Sequence, residues 1–267
     1  IIIPKCEATQ CYDLSKLDTS EITDMTQLFA YSEFNGDISN WDVSKVTDMS
    51  GLFDCAIKFN QDINSWDVSN VTNMNKMFYL AKEFNQTLDN WDVSSVTNML
   101  SMFAYASNFN QDINNWDVSN VTEMGAMFGY AKSFNQTLND WNVSNVTSMS
   151  VMFHNASNFN QALNNWDVSN VTNMKKMFYN AESFNQPLNS WDVSNIIDMH
   201  GMFQDAIAFN IKFNSGKSSL PSNTNTLKQW LKMNSDKMFG IDIKEREKEN
   251  LDSFYNNLES LYNNLDK

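Results

Sequence analysis

The stretch that decides the fold runs Leu163-Asn-Asn-Trp166-Asp-Val168-Ser-Asn-Val171-Thr172-Asn-Met174-Lys-Lys-Met177-Phe178-Tyr-Asn-Ala181-Glu-Ser-Phe184-Asn185-Gln186. Its large residues return at a fixed step. Trp41, Trp66, Trp91, Trp116, Trp141, Trp166 and Trp191 keep a strict 25-residue period. Met49 to Met199 and Phe53 to Phe203 keep the same step, as do the Phe-Asn pairs from Phe59-Asn60 to Phe209-Asn210. A first copy, Leu17 to Asn40, has 24 residues and carries Leu17 in the tryptophan slot and Phe29 in the phenylalanine slot. An irregular terminal copy is what a capping repeat looks like, and self-similarity at such a period is the signature of a solenoid.

Within the copy, Trp166 and Val168 alternate with Asn165, Asp167 and Ser169, the period-2 pattern of a short half-buried strand. Met174, Met177, Phe178 and Ala181 follow at i, i+3, i+4 and i+7, one face of a helix, with Thr172 at its N-cap. Asn185 suits a tight or left-handed turn into the next strand. The predicted fold is α/β: a leucine-rich-repeat-like solenoid with one short parallel strand and one short helix per 25-residue coil. Each tryptophan then lies over its equivalent one coil away, near offset-stacking distance. Two Phe, two Met, one Trp and two Val per coil supply a continuous core at roughly 1.5–3 kcal/mol per buried large side chain.

The pattern sets the organisation: residues 1–16 as an N-terminal cap segment, 17–210 as a solenoid of about eight repeats, 211–226 as a linker and 227–267 as a helical C-terminal element. Leu251, Phe254, Tyr255, Leu258, Leu261, Tyr262 and Leu265 trace an amphipathic helix there, read as a cap or as a stalk or partner-binding helix. Residues 1–210 hold 24 acidic and 9 basic side chains, a charge of −15, whereas 211–267 hold 8 and 9. The acidity therefore belongs to the repeats. A chain with formal charge −14 and Arg246 as its one arginine lacks the phosphate contacts that nucleic-acid binding needs. Apolar runs of only a few residues predict no transmembrane segment. The chain begins at Ile1, so the compartment is not readable from a leader. Cys6 and Cys11 read equally as a pair in a secreted protein or as two free thiols, with Cys55 odd.

The repeat motif, Phe-Asn-Gln-x-Leu-x-x-Trp-Asp-Val-Ser-x-Val-Thr-x-Met-x-x-Met-Phe, resembles that of the BspA-like leucine-rich-repeat surface proteins of bacteria, mycoplasmas and gut species among them. The likeness covers about Leu17 to Asn210. It implies secreted or cell-surface proteins linked to adhesion or host contact, binding a protein or glycan on a host or neighbouring cell, with no enzyme activity. Val171 and its equivalents hold the slot of the usual ladder asparagine, and Asn170 lies one position earlier, which leaves coil curvature and that ladder open.

No catalytic constellation is legible. His154 and His200 are the only histidines, and no Gly-rich or convergent Cys or Lys cluster stands out, so no enzyme, cofactor or metal site is predicted. Two rows are candidates for partner binding. Asp42, Asp67, Asp92, Asp117, Asp167 and Asp192 form a column broken by Asn142. Carboxylates about 5 Å apart repel by roughly 0.8 kcal/mol even in water, so something must offset them. The options are the serine two residues on as an Asx-type turn, calcium, or a cationic partner. The second row is Tyr79, Tyr105, Tyr130 and Tyr179, in the variable pair after each phenylalanine, read as a partner anchor or as drift on a solvent face. The alternatives to binding are a structural or antigenic spacer without its own ligand and a calcium-stabilised solenoid.

Overall fold

Eight coils stack through seven parallel single-residue bridges, running Asp24, Asp48, Asn73, Asn98, Glu123, Ser148, Asn173 and Asp198. The structure is a computed structural model and describes residues 14–188 and 190–209. The Cys6/Cys11 alternatives, residues 1–13 of the N-terminal segment, the 211–226 linker and the 227–267 helical element lie outside the described residues.

The solenoid is present, but its coils are built from turns. Among the described residues regular structure is confined to the 3-10 turn Leu14–Lys16 and to helical residues 207–209 at the far end. The predicted helix at 174–181 is instead two successive β-turns. Met177 N–H donates to Met174 C=O and Ala181 N–H to Phe178 C=O, each at 3.1 Å. The third residue of each turn, Lys176 and Asn180, has φ of 52°. The first and fourth residues of both turns point inward, so Met174, Met177, Phe178 and Ala181 are all fully buried. Two turns laid end to end thus reproduce the i, i+3, i+4, i+7 spacing that reads as a helical face. A helix is excluded because every second amide serves the next coil. Met174, Lys176, Phe178 and Asn180 donate to the carbonyls of Asp198, His200, Met202 and Gln204, while Met177, Tyr179 and Ala181 donate within the coil. With Lys175 N–H on the Asn173 side chain, all eight donors from 174 to 181 are satisfied.

The Trp-Asp-Val strand is likewise a turn region. Trp166 N–H closes a turn on Leu163 C=O and Val171 N–H closes one on Val168 C=O. Inward and outward faces still alternate as predicted, with Trp166 and Val168 buried and Asp167 exposed. Thr172 caps no helix. Its amide and hydroxyl both donate to Thr147 C=O one coil back, at 2.9 and 3.2 Å. Asn185 is not left-handed. Its amide donates to Asn160 Oδ1, one rung of an asparagine ladder in the Phe-Asn-Gln slot, and Gln186 Nε2 reaches the Asn160 C=O and Oδ1 at 3.0 Å. The asparagine ladder therefore exists, displaced from the valine slot. A second row of side-chain amides, Asn170 Nδ2 to Ser144 C=O among them, seals the opposite edge.

Columns of identical side chains fill the interior. Phe153, Phe178 and Phe203 stack at 5.6 and 5.5 Å, and Phe178 stacks on Phe184 of its own coil at 4.0 Å. Trp141, Trp166 and Trp191 lie parallel at 6.4 and 6.5 Å, as the sequence predicts. Each buried indole N–H also finds a carbonyl in the preceding coil, Trp166 on Leu138 at 2.8 Å.

A glycine substitution separates turn from helix. Ala126 holds φ of 54° at a slot where Gly51 and Gly201 also occur. In a helix Ala→Gly costs about 1 kcal/mol. Here Ala126→Gly relieves a left-handed alanine, and chemical denaturation is expected to show a gain of about 0.5–1 kcal/mol.

Candidate functional site

The aspartate column serves its own coil. Ser44, Ser69, Ser94, Ser119, Ser169 and Ser194 donate their amides to Asp42, Asp67, Asp92, Asp117, Asp167 and Asp192 at 3.0–3.1 Å. Asn142 accepts from Ser144 in the same way at 3.2 Å. The serine bonds hold the Asp42, Asp92 and Asp167 carboxyls below their ordinary range, hydroxyl first and amide second. The side chains remain exposed. Of the offsets considered, the Asx-type turn is the one the geometry displays.

Between the Phe-Asn-Gln ladder and the tryptophan slots lies an open polar depression of about 410 Å³ lined by Thr87, Asp89, Gln111, Asp112, Asn114, Asn115 and Asp140. Its carboxylates are partnered by the protein: Thr87 Oγ1 and Asn64 Nδ2 donate to Asp89, and Asn114 Nδ2 to Asp140 at 2.6 Å. Asp89 and Asp140 occupy different slots of the repeat, so a search along single columns passes over this feature. Among the described residues no three His, Cys, Asp or Glu side chains come together to hold a metal ion.

The tyrosines, by contrast, converge. Tyr79 and Tyr179 sit one residue after their phenylalanines, and Tyr105 and Tyr130 sit two after theirs. All four nonetheless join one array. Tyr79 meets Tyr105 edge-on at 5.5 Å, and Tyr105 stacks on Tyr130 at 4.2 Å and 9°. His154 continues the array, 5.1 Å from Tyr130 and 4.7 Å from Tyr179. Lys76 and Lys176 set their ammonium groups over the two end rings at 5.6 and 5.1 Å. His154 directly follows Phe153, in the slot of Tyr79 and Tyr179, and so belongs to the same variable pair as the four tyrosines. Because most ring faces meet one another along the solenoid axis, the array offers solvent mainly ring edges and hydroxyls. Lys58, Lys76, Lys82, Lys132, Lys175 and Lys176 lie on this turn arc, whereas the Asp-Val-Ser arc has Lys45 alone.

A family model described as a Mycoplasma protein of unknown function, DUF285, matches residues 2–116, 101–216 and 138–245. The chain belongs to this DUF285 family. The three overlapping matches run through the repeats. No curated protein matches the DUF285 chain in sequence. A solved structure similar to it is that of the Toll–Spatzle complex, described as a molecular hub in Drosophila development and innate immunity. That likeness has 15% identity and a TM-score of 0.28, and covers 58% of this chain and 24% of the other. The DUF285 chain thus spans about a quarter of the length of that structure's chain. No helix among the described residues is long and apolar enough to cross a membrane.

Titration of the array is directional. Burial, then the Lys176 charge, pulls His154 below its ordinary value of 6.5, and its Nδ1 is buried with no hydrogen-bond partner. A depressed histidine means that the unfolded chain binds the proton first. The associated stability is full above about pH 6.5 and is lost as pH falls through the lowered folded value. Melting curves between pH 7.5 and 5 are expected to fall more steeply for the native chain than for His154→Phe, which keeps the stacking and removes the titration.

Proposed function

We propose that this protein is a non-enzymatic binding protein, secreted or displayed on a cell surface, whose rigid acidic solenoid presents the turn arc to a macromolecule of a host or neighbouring cell. One observation carries the reading: the unbroken array of Tyr79, Tyr105, Tyr130, His154 and Tyr179, half-buried on the lysine-bearing turn arc of an otherwise acidic solenoid. Half-exposed tyrosines favour binding because they add large contact area at little entropic expense. The presentation of edges and hydroxyls favours a protein partner over a glycan, since sugar rings stack on aromatic faces and most of these faces are already taken. The resemblance of the repeat to BspA-like surface proteins supports the surface location and the contact role. The self-contained hydrogen bonding of the Asp column favours a second reading for that edge alone, a spacer surface with no ligand.

The test is a binding screen of the purified chain against host extracellular-matrix proteins and glycans, with calcium and with EDTA. For a partner so found, the double change Tyr105→Ala and Tyr130→Ala is expected to weaken binding by about tenfold or more, the size of a tyrosine hot spot. The triple change Asp42→Asn, Asp92→Asn and Asp167→Asn, which copies native Asn142, is expected to leave it within about twofold. The reverse ranking moves the site to the aspartate edge, loss in EDTA assigns calcium, and no binding at all leaves the spacer reading.

A further inference from the structure

The aromatic array has one missing rung. Tyr31, Cys55, Tyr105 and Tyr130 occupy equivalent slots, two residues after Phe29, Phe53, Phe103 and Phe128, and all four have φ between 58° and 62°. At Cys55 the ring is absent. Tyr31 is left 71% exposed on one side, and the continuous array begins at Tyr79 on the other. The coils that carry Tyr31 and Tyr79 are two steps apart, Phe29–Phe53 at 5.5 Å and Phe53–Phe78 at 5.6 Å, a coil-to-coil separation of about 11 Å at the core. A planar group in van der Waals contact with a ring on either side needs only about 7–8 Å.

The floor of this gap is polar. Asp54 is 5% exposed, and its Oδ1 is buried without a hydrogen-bond partner. Among the described residues the ion pairs are Lys45–Glu21 and Lys58–Glu83, so Asp54 has no cation within pairing distance. Burial, and then its hydrogen bond to Asp54, raises the Cys55 thiol to about 11, which keeps it a protonated donor at neutral pH and not a reactive thiolate. The Asp54 charge raises the Tyr31 phenol; burial and then Cys55 and Asp54 raise that of Tyr79. Tyr31 N–H donates to Asp54 C=O at 2.6 Å and Cys55 N–H to Tyr79 C=O at 2.7 Å, so the Asp54-Cys55 pair lies between the two tyrosines in the stack of coils.

We propose that the gap between Tyr31 and Tyr79 is a receptor for an arginine side chain of a protein partner, the guanidinium lying between the rungs with Asp54 as its counter-ion. The proposal rests on the turn arc being a binding face and names the chemistry of what it takes. A guanidinium is planar, stacks on aromatic faces, and carries paired N–H donors for a carboxylate. A neutral ring leaves the charge of Asp54 without a counter-ion, which a guanidinium supplies from the rim of the gap. Lys76, over Tyr79 at 5.6 Å, is the competing internal cation. Its removal therefore favours the incoming arginine.

The probe is the capped peptide acetyl-Gly-Arg-Gly-amide, titrated into the tyrosine-labelled 267-residue chain and followed by NMR. Saturable shifts of the Tyr31 and Tyr79 signals are expected at millimolar peptide, a range typical of one side chain acting alone. The citrulline peptide, equal in shape but uncharged, is expected to bind about tenfold more weakly. Asp54→Asn is expected to weaken the arginine peptide by about fivefold or more, and Lys76→Met to strengthen it about twofold. Cys55→Tyr supplies the missing rung in a backbone conformation that Tyr31, Tyr105 and Tyr130 already adopt, so it should fold and abolish the shifts. Equal binding of the citrulline peptide, persistence in Cys55→Tyr, or binding seen only after Arg246→Ala (which would make the chain's own arginine the occupant) overturns the proposal. If Asp54→Asn and Cys55→Tyr leave a screened partner's affinity intact while the Tyr105/Tyr130 change removes it, this inference alone fails.

Discussion

Along the turn arc, alternate amides are committed to the next coil and the remainder to the coil's own turns. That division fixes almost everything else. Because Met174, Lys176, Phe178 and Asn180 donate forward, the chain there cannot form i to i−4 bonds, and its curvature must come from residues with positive φ. Because the forward bonds recur at the same positions in each coil, every side chain sits near its equivalent one coil away. Columns of Phe, Trp and Asn follow as a consequence. The structure is then held by nearest-neighbour contacts, each coil needing the next to satisfy its amides and to cover its aromatic layer.

The columns explain why a nearly invariant sequence is tolerated. A coil that deviates loses two interfaces at once. Phe178 stacks on Phe153 behind it, on Phe203 ahead of it and on Phe184 within its own coil. Aromatic pairs of this kind contribute about 0.5–1.5 kcal/mol beyond area burial. The indole N–H and the Asn160 and Asn185 amides close the polar accounts that a coil without ladders of regular secondary structure leaves open. Positions free of such duties lie on the surface of the turn arc, and variation between copies is concentrated there.

The solenoid, its period and its buried residues were legible in the sequence. The local structure was not, for a specific physical reason. Spacing at i, i+3, i+4 and i+7 reports which residues face inward, and two consecutive β-turns satisfy it as well as a helix does. The distinguishing signal was the third turn position, filled by Gly51 and Gly201 in two coils but by Lys176, Ala126 and Val151 in others. Side chains that rarely adopt positive φ masked a requirement that glycine would have announced. Strand alternation at Trp166-Asp167-Val168 was right about faces and wrong about pairing, since period 2 says nothing of where hydrogen bonds go. The Asn185 ladder was hidden in the same way, because an asparagine suits both a turn and a ladder.

Much the same holds for the candidate surfaces. A column of six aspartates looked like a problem needing an external solution, yet each carboxylate meets the amide of the serine two residues on. The more irregular tyrosine row, shifting between two slots, is the one the fold assembles. A side chain one residue after a phenylalanine and one two residues after the next can meet because the intervening turn redirects successive Cβ vectors within a few ångströms. Regularity in this protein therefore marks residues that hold coils together, and departures from it mark surface that packing between coils does not use. Cys55 and Asp54 depart furthest: a thiol where neighbouring coils carry a ring, beside a carboxylate with a buried, unpartnered oxygen.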